Sequence, residues 1–427
     1  MGDGSRINVY KYDTDRFKSE NISVYFAFPN VKKSSVARSL LLSVLKRGTE
    51  KYPSQKLINE KLDENYATLL NLKNQKFEGV HLLGVTADFI YFQYTDNGED
   101  LLPSALDVME QIFLHPKLDD NTHKLCKEFL DSEKENYKSI ILSQINEPRT
   151  YAAIRCREEM FDSLGIIDKL DTMCEKIDST TVDDVWNCYL ELVKSASVFV
   201  FYVGSRSIED VKNSVDSVFA DRECKALECE AREPRLLPPS DEPKVIIESS
   251  DISQGRLVMG FNSGVTWSDG DYYAMLLLNE IFGASPISKL MMKVREELSL
   301  CYECSSVYNS ARGVIFATTG IDSENYELAK GAIINQMEDI KNGNISETEF
   351  VSAKRSLFNA YSALADSPSA IERFYLGRII NHIDVDIEEF ISKLDALKID
   401  DVVRVARRIS LHTVYFLRGN GEGNDNE

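Results

Sequence analysis

The sequence predicts an α+β protein made of two duplicated α/β sandwich domains, each a largely antiparallel sheet covered by helices. Three observations carry this prediction. Short alternating apolar runs are interleaved with amphipathic helical patterns, the mixture expected of helices packed on a sheet. Matching stretches recur in the same order in both halves of the 427 residues. A charged, proline-rich stretch separates the halves, ECKALECEAREPRLLPPSDEPKV, without a sustained apolar period.

The elements follow in order. SVYFAFP and GRLVMGFN read as the opening strands of the two halves. SALDVMEQIF at 104–113 and GAIINQMEDI at 331–340 are amphipathic helices. Each follows an alternating strand, GVTADFIYFQYT or GVIFATTGID, and Met109 and Met337 are 228 residues apart. Long helical patterns cover 121–160 and 345–380, with Pro148 and Pro368 in equivalent places, 220 residues apart. TTVDDV at 180–185 matches LKIDDV at 397–402, each near a helix. VFVFYVG at 198–204 matches VYFLRG at 414–419 as closing strands, and the first has no alternation, so both its faces are expected to be buried. Four matches in register indicate duplication of a unit a little over 200 residues long. The expected organisation is a first domain at 1–222, a linker at 223–244, a second domain at 245–418 and a disordered tail at 419–427.

Composition narrows the function classes. The apolar fraction is 43% and the charged fraction 28%, as in a globular protein, and the net charge is −20. A polyanion is repelled by nucleic-acid phosphates and anionic lipid, so neither is expected as a partner. No run of about 18 apolar residues suggests a membrane span. The N-terminus has no apolar core of a signal peptide, and Arg6 breaks the myristoylation pattern. The expected location is cytoplasmic. There, the eight cysteines are expected to be free thiols. Cys224/Cys229 and Cys301/Cys304 are the closest pairs. The alternating pattern around Cys301 and Cys304 is expected to point them to opposite faces of a strand.

RSLLLSVLKRGT at 38–49 reads as an apolar helix stopping at a glycine cap. Ser39 and Ser43, four residues apart, share one side of it.

The second half contains NEIFGASPISKLMMKVREELSLCYECSSVYNSARGVIFAT at 279–318. Its Asn279, Gly283, Ser288, Leu290, Arg295, Glu296 and Tyr302 resemble the pattern of the M16 (pitrilysin/insulinase-type) zinc metallopeptidase family, and QGRLVMGF at 254–261 resembles that family's first strand of this half. The resemblance covers nearly the whole chain and implies a LuxS/MPP-like pair of domains. It is nearest to paired bacterial members in which one subunit lacks His-x-x-Glu-His. In active members that motif places two His on Zn²⁺ and a Glu on the metal-bound water. Counted back from Gly48–Thr49, the two His positions hold Ser39 and Ser43, and the Glu position holds Leu42. The third ligand, seven residues before a second acid, falls on Cys126 if Glu133 is that acid. His123 and Cys126 form an H-x-x-C pair expected on one helical face.

The resemblance therefore implies no metal in this chain and zinc in a partner, a homologous subunit with an intact motif. It implies that Arg295 and Tyr302 hold the backbone and developing oxyanion of a peptide substrate. In isolation the chain is expected to be inactive, and a homodimer is open to it. The alternative is a purely structural or assembly subunit of an M16-type complex.

Overall fold

The computed structural model describes residues 7–29, 34–77, 79–219, 235–238, 240 and 242–419. Most of the expected linker, the Cys224/Cys229 pair and the expected tail beyond Gly419 lie outside the described residues.

The first half runs β1 (Asn8–Asp13), β2 (Ser19–Pro29), α1 (Ser35–Leu45), α2 (Gln55–Glu64), β3 (Leu69–Lys76), β4 (Val80–Ile90), α3 (Leu102–Leu114), α4 (Lys127–Ile145), α5 (Pro148–Phe161), α6 (Met173–Ser179), α7 (Val182–Ser195), β5 (Ser197–Gly204) and α8 (Ile208–Phe219). The second runs β6 (Lys244–Ser250), β7 (Gly255–Asn262), α9 (Tyr272–Asn279), two π-helical turns (Glu280–Ala284 and Met291–Glu297), β8 (Cys301–Asn309), β9 (Val314–Ile321), α10 (Tyr326–Lys341), α11 (Glu347–Ser362), α12 (Pro368–Asn381), α13 (Ile387–Asp395), α14 (Ile399–Ala406) and β10 (Ser410–Gly419). Among the described residues, no helix is long and apolar enough to cross a membrane.

The two sheets have one topology. Strand order is β1-β5-β2-β4-β3 in the first and β6-β10-β7-β9-β8 in the second. Every pairing is antiparallel except β1 with β5 and β6 with β10. These leading strands, NVYKYD and KVIIESS, are additions to the expected elements; they are short, and their residues are largely half-buried in β1 and mostly exposed in β6. β5 is buried along its whole length, as its unbroken apolar run requires. The matched stretches occupy equivalent elements: α3 and α10, the proline-started α5 and α12, α7 and α14, β5 and β10.

The helical pattern over 121–160 resolves into α4 and α5, broken at Pro148. Proline cannot donate inside a helix but fits its first turn, and the Glu147 carboxylate caps α5 by accepting from the amides of Arg149 and Thr150.

Each sheet is covered by a helix from the other half of the sequence. One compact unit comprises Met1–Ser139, Cys174–Arg232 and Leu364–Asp384; the other comprises Ile140–Met173, Glu233–Ala363 and Val385–Glu427. In the first unit, Leu376 and Ile380 of α12 pack on Tyr25, Val80, Leu82 and Phe199, and Ile371 packs on Phe201 and Val203. Glu372, buried among them, accepts from the hydroxyls of Ser23 and Tyr25 and pairs with Lys73 at 3.2 Å. In the second unit, Ala152 and Cys156 of α5 pack on Val258, Tyr415 and Leu417. Arg155 donates to Glu158 and to Glu248, both at 2.8 Å.

Candidate functional site

The stretch at 279–302 lies entirely in the second unit, and its residues divide into those that build and those that face outward. Asn279, at the end of α9, accepts from the Ser306 hydroxyl of β8 through Oδ1 at 2.8 Å. Gly283 lets the following π turn lie directly on that strand. A Cβ there would stand 2.6 Å from Ser306 Oγ and 2.7 Å from its backbone nitrogen. Ser288 is buried, and its carbonyl accepts from the Met292 amide at 2.9 Å as the next turn starts. Leu290 is fully buried. These four residues pack beneath the second π turn, and Arg295 stands on it.

Arg295 and Tyr302 meet at the surface. The Arg295 side chain is 39% exposed, Tyr302 is 82% exposed, and the guanidinium carbon lies 5.6 Å from the centre of the phenol ring. Arg295 Nη1 lies 3.5 Å from Met291 Sδ, and Nε lies 3.5 Å from the Glu296 carboxylate. Tyr302 stands on β8, the edge strand of its sheet. Chemically, the arrangement offers a planar cation and a phenol as adjacent donors.

The strand beneath them departs from its expected alternation. Cys301 pairs with Ile321 and Cys304 with Thr319, so three steps along β8 match two along β9. This bulge cancels the parity difference and puts both thiols on one face, correcting the expectation that they point apart. The alternating pattern carried no sign of it; the only prior signal was the C-x-x-C spacing. The hydrogen bond from Cys304, then that from Thr319 and the Arg295 charge, hold the Cys301 thiol down to about 7 against the opposing effect of its partial burial. Cys304, hydrogen-bonded to Cys301 and buried, is held well above the ordinary thiol range.

The degenerate metal positions lie in the first unit. Ser39 and Ser43 are half-buried on α1, and the Ser39 hydroxyl is turned back onto the Ser35 carbonyl at 3.0 Å. Leu42 is 2% exposed and belongs to the core. Beside it, Arg38 is equally buried; it holds the Glu191 carboxylate at 2.9 and 3.0 Å and donates to the Pro29 carbonyl at 2.7 Å. The helix ends at Leu45 with Lys46 in right-handed conformation, so Gly48 is not its cap. Glycine is needed there because a Cβ would come within 2.8 Å of the Pro53 carbonyl oxygen.

Cys126 precedes α4 rather than lying on it; its carbonyl accepts from the amides of Phe129 and Leu130. Its thiol points to the Lys117 carbonyl at 3.6 Å, and burial raises its pKa. His123 occupies a left-handed turn at φ 54° after Asp119, so the expected shared helical face with Cys126 does not exist. Asp119 imposes that turn by accepting from the amides of Asn121 and Thr122. Glu133 is engaged by Arg47. Among the described residues, no group of three or more His, Cys, Asp or Glu stands where it could hold a metal ion. A leucine in the core and a hydroxyl satisfied within its own helix do not fit zinc.

Residues 179–357 match the family described as "Peptidase M16 inactive domain". Over 408 residues, 95% of this chain and 94% of the relative, the sequence is 24% identical to the "Probable inactive metalloprotease YmfF" of Bacillus subtilis (strain 168). Both findings liken the chain to inactive members of the M16 peptidase family. The M16 fold is shared with a conserved protein from Enterococcus faecalis V583, at TM-score 0.87 and 24% identity over 97% of both chains. It is shared as well with a peptidase M16 inactive domain from Pseudomonas fluorescens, at TM-score 0.76 and 14% identity over 98% of this chain and 97% of that one. The M16 pattern thus explains why Asn279, Gly283, Ser288 and Leu290 occur together: each serves the packing that sets Arg295 above β8.

Proposed function

We propose that this M16-type protein is the non-catalytic subunit of a peptide-hydrolysing pair. Its partner is a homologue carrying an intact His-x-x-Glu-His motif, and the metal and the general base belong to that partner. This chain contributes Arg295 and Tyr302. The observation that supports the reading is their exposed contact, with the buried Ser288 and Leu290 and the closely packed Gly283 beneath it, while Leu42 has joined the core. A solvated Arg and Tyr with only structural duties would need no such platform.

In this reading, a peptide carbonyl gains negative charge as it is attacked. The Arg295 guanidinium and the Tyr302 hydroxyl donate to it, and an already positioned pair stabilises that charge without reorganisation. Stacking on the ring restricts the Arg295 side chain, so less freedom is lost on binding. The chain alone lacks a base and is inactive by itself.

The test is reconstitution. The purified chain is mixed with each homologue from its own genome that carries an intact His-x-x-Glu-His motif, and peptide hydrolysis is followed. Activity present only in the mixture supports the pairing. A stable complex without hydrolysis overturns it in favour of an assembly role, and no complex overturns the pairing itself.

A further inference from the structure

The bulge in β8 brings together two side chains that a regular strand would separate. Three residues of extended strand span about 10 Å and reverse the facing of the side chain, which no disulfide can bridge. Here Cys301 and Cys304 face partners only two residues apart on β9, Ile321 and Thr319, which share a face. Two residues of strand span about 6.7 Å, the upper end of the Cα separation a disulfide closes. We propose that Cys301 and Cys304 are a redox-active dithiol that closes reversibly to a disulfide by exchange with a small-molecule disulfide.

The two thiols differ in the way such a reaction needs. Cys301 is half-exposed and reachable, whereas Cys304 is 1% exposed. The lowered pKa of Cys301 makes it the attacking thiolate near neutral pH. Cys126, Cys156 and Cys188 are all pushed the other way by burial.

The steps balance. The Cys301 thiolate attacks one sulfur of the small disulfide, forming a mixed disulfide and releasing a thiolate that takes a proton from water. Cys304 gives its proton to solvent and attacks Cys301 Sγ, breaking the mixed disulfide and expelling the second thiolate, which is protonated. Two protein thiols are oxidised, and one small disulfide is reduced to two thiols. Closure at the limit of reach tightens the bulge. That bulge is also held open by Glu303, which pairs with Arg149 at 2.9 Å and whose carbonyl accepts from Thr319 at 2.8 Å. A disulfide formed against these contacts is strained and easily reduced. Tyr302 lies inside the ring it closes. The dithiol stands whether or not Arg295 and Tyr302 serve a partner.

The full-length chain is incubated at neutral pH with oxidised glutathione, quenched with acid, denatured, alkylated and mapped by peptide mass. The expected product is a Cys301–Cys304 peptide two hydrogens lighter, with neither thiol alkylatable, restored by dithiothreitol. Cys301 is expected to react at least about tenfold faster than Cys126. Cys304→Ser should stop at glutathione on Cys301; if that variant fails to fold, the wild-type peptide map decides alone. A wild-type chain that accumulates glutathione on Cys301 while Cys304 stays alkylatable overturns the proposal. So does a Cys301 no faster than Cys126.

Discussion

At the scale of single residues, burial decides what a position can do. Leu42 shows this most directly. Placing a carboxylate there moves a charge into apolar surroundings, so Leu42→Glu is expected to destabilise the first unit by about 3–5 kcal/mol. Urea unfolding at neutral pH checks it; a loss under about 1 kcal/mol would mean that the site is wet. The triple variant Ser39→His, Leu42→Glu, Ser43→His should still bind no zinc, because Cys126 lies before α4 with its thiol on the Lys117 carbonyl. Elemental analysis after dialysis reads this, and one zinc per chain would refute it. His81 offers a pH test. It is fully buried, its Nε2 lies 2.7 Å from Asn74 Oδ1, and burial, then the Lys76 and Arg38 charges, lower its pKa to about 3. The unfolded chain takes up this proton below about pH 6.5, whereas the folded one does not. Stability from His81 is therefore unaffected above that pH. It falls by up to about 1.4 kcal/mol per unit as pH drops from there towards 3. His81→Gln should flatten the slope of unfolding free energy between those limits; an unchanged slope would show that other groups carry it. Position 42 was legible as apolar in the sequence, but its depth in the core was not, because depth depends on strands far along the chain.

At the scale of elements, close contact between backbones sets the candidate site. Gly283→Ala is expected to push the first π turn off β8, at a cost of about 1–3 kcal/mol, because Ser306 leaves no room for a Cβ. A lowered melting temperature together with loss of the Arg295–Tyr302 stacking would support this; full stability would show that the turn shifts freely. Sequence periodicity located the strands and most helices, since apolar spacing follows which face is buried. It missed β1 and β6, which are short and contain no fully buried residue, and it missed the bulge in β8. A bulge is a register shift against a neighbouring strand, so it leaves no mark on the strand's own alternation.

At the scale of the whole molecule, the two compact units do not coincide with the two sequence halves. A fragment ending at residue 222 lacks α12 and leaves the apolar face of Tyr25, Val80, Leu82, Phe199 and Phe201 uncovered. It is expected to bind a hydrophobic dye and unfold without cooperativity, and to regain a sharp transition when the remainder of the chain is added. A cooperative, dye-free fragment would refute this. Function belongs to this scale too. In a mixed complex with wild-type partner, Arg295→Ala or Tyr302→Phe is expected to leave folding and association intact, and kcat/KM should fall about a hundredfold. If the pair mainly holds the ground state, the loss appears in KM. Unchanged kinetics for both variants would remove the catalytic role. The sequence by itself determined the duplication, the composition of each half and the absence of His-x-x-Glu-His, because repeats, apolar periods and motif residues are written along the chain. Only the tertiary structure decided that α5 and α12 exchange sheets, that Leu42 is core, and that Cys301 and Cys304 share a face. Each of these depends on contacts between residues distant in sequence, and local pattern cannot encode which distant surface covers an apolar face.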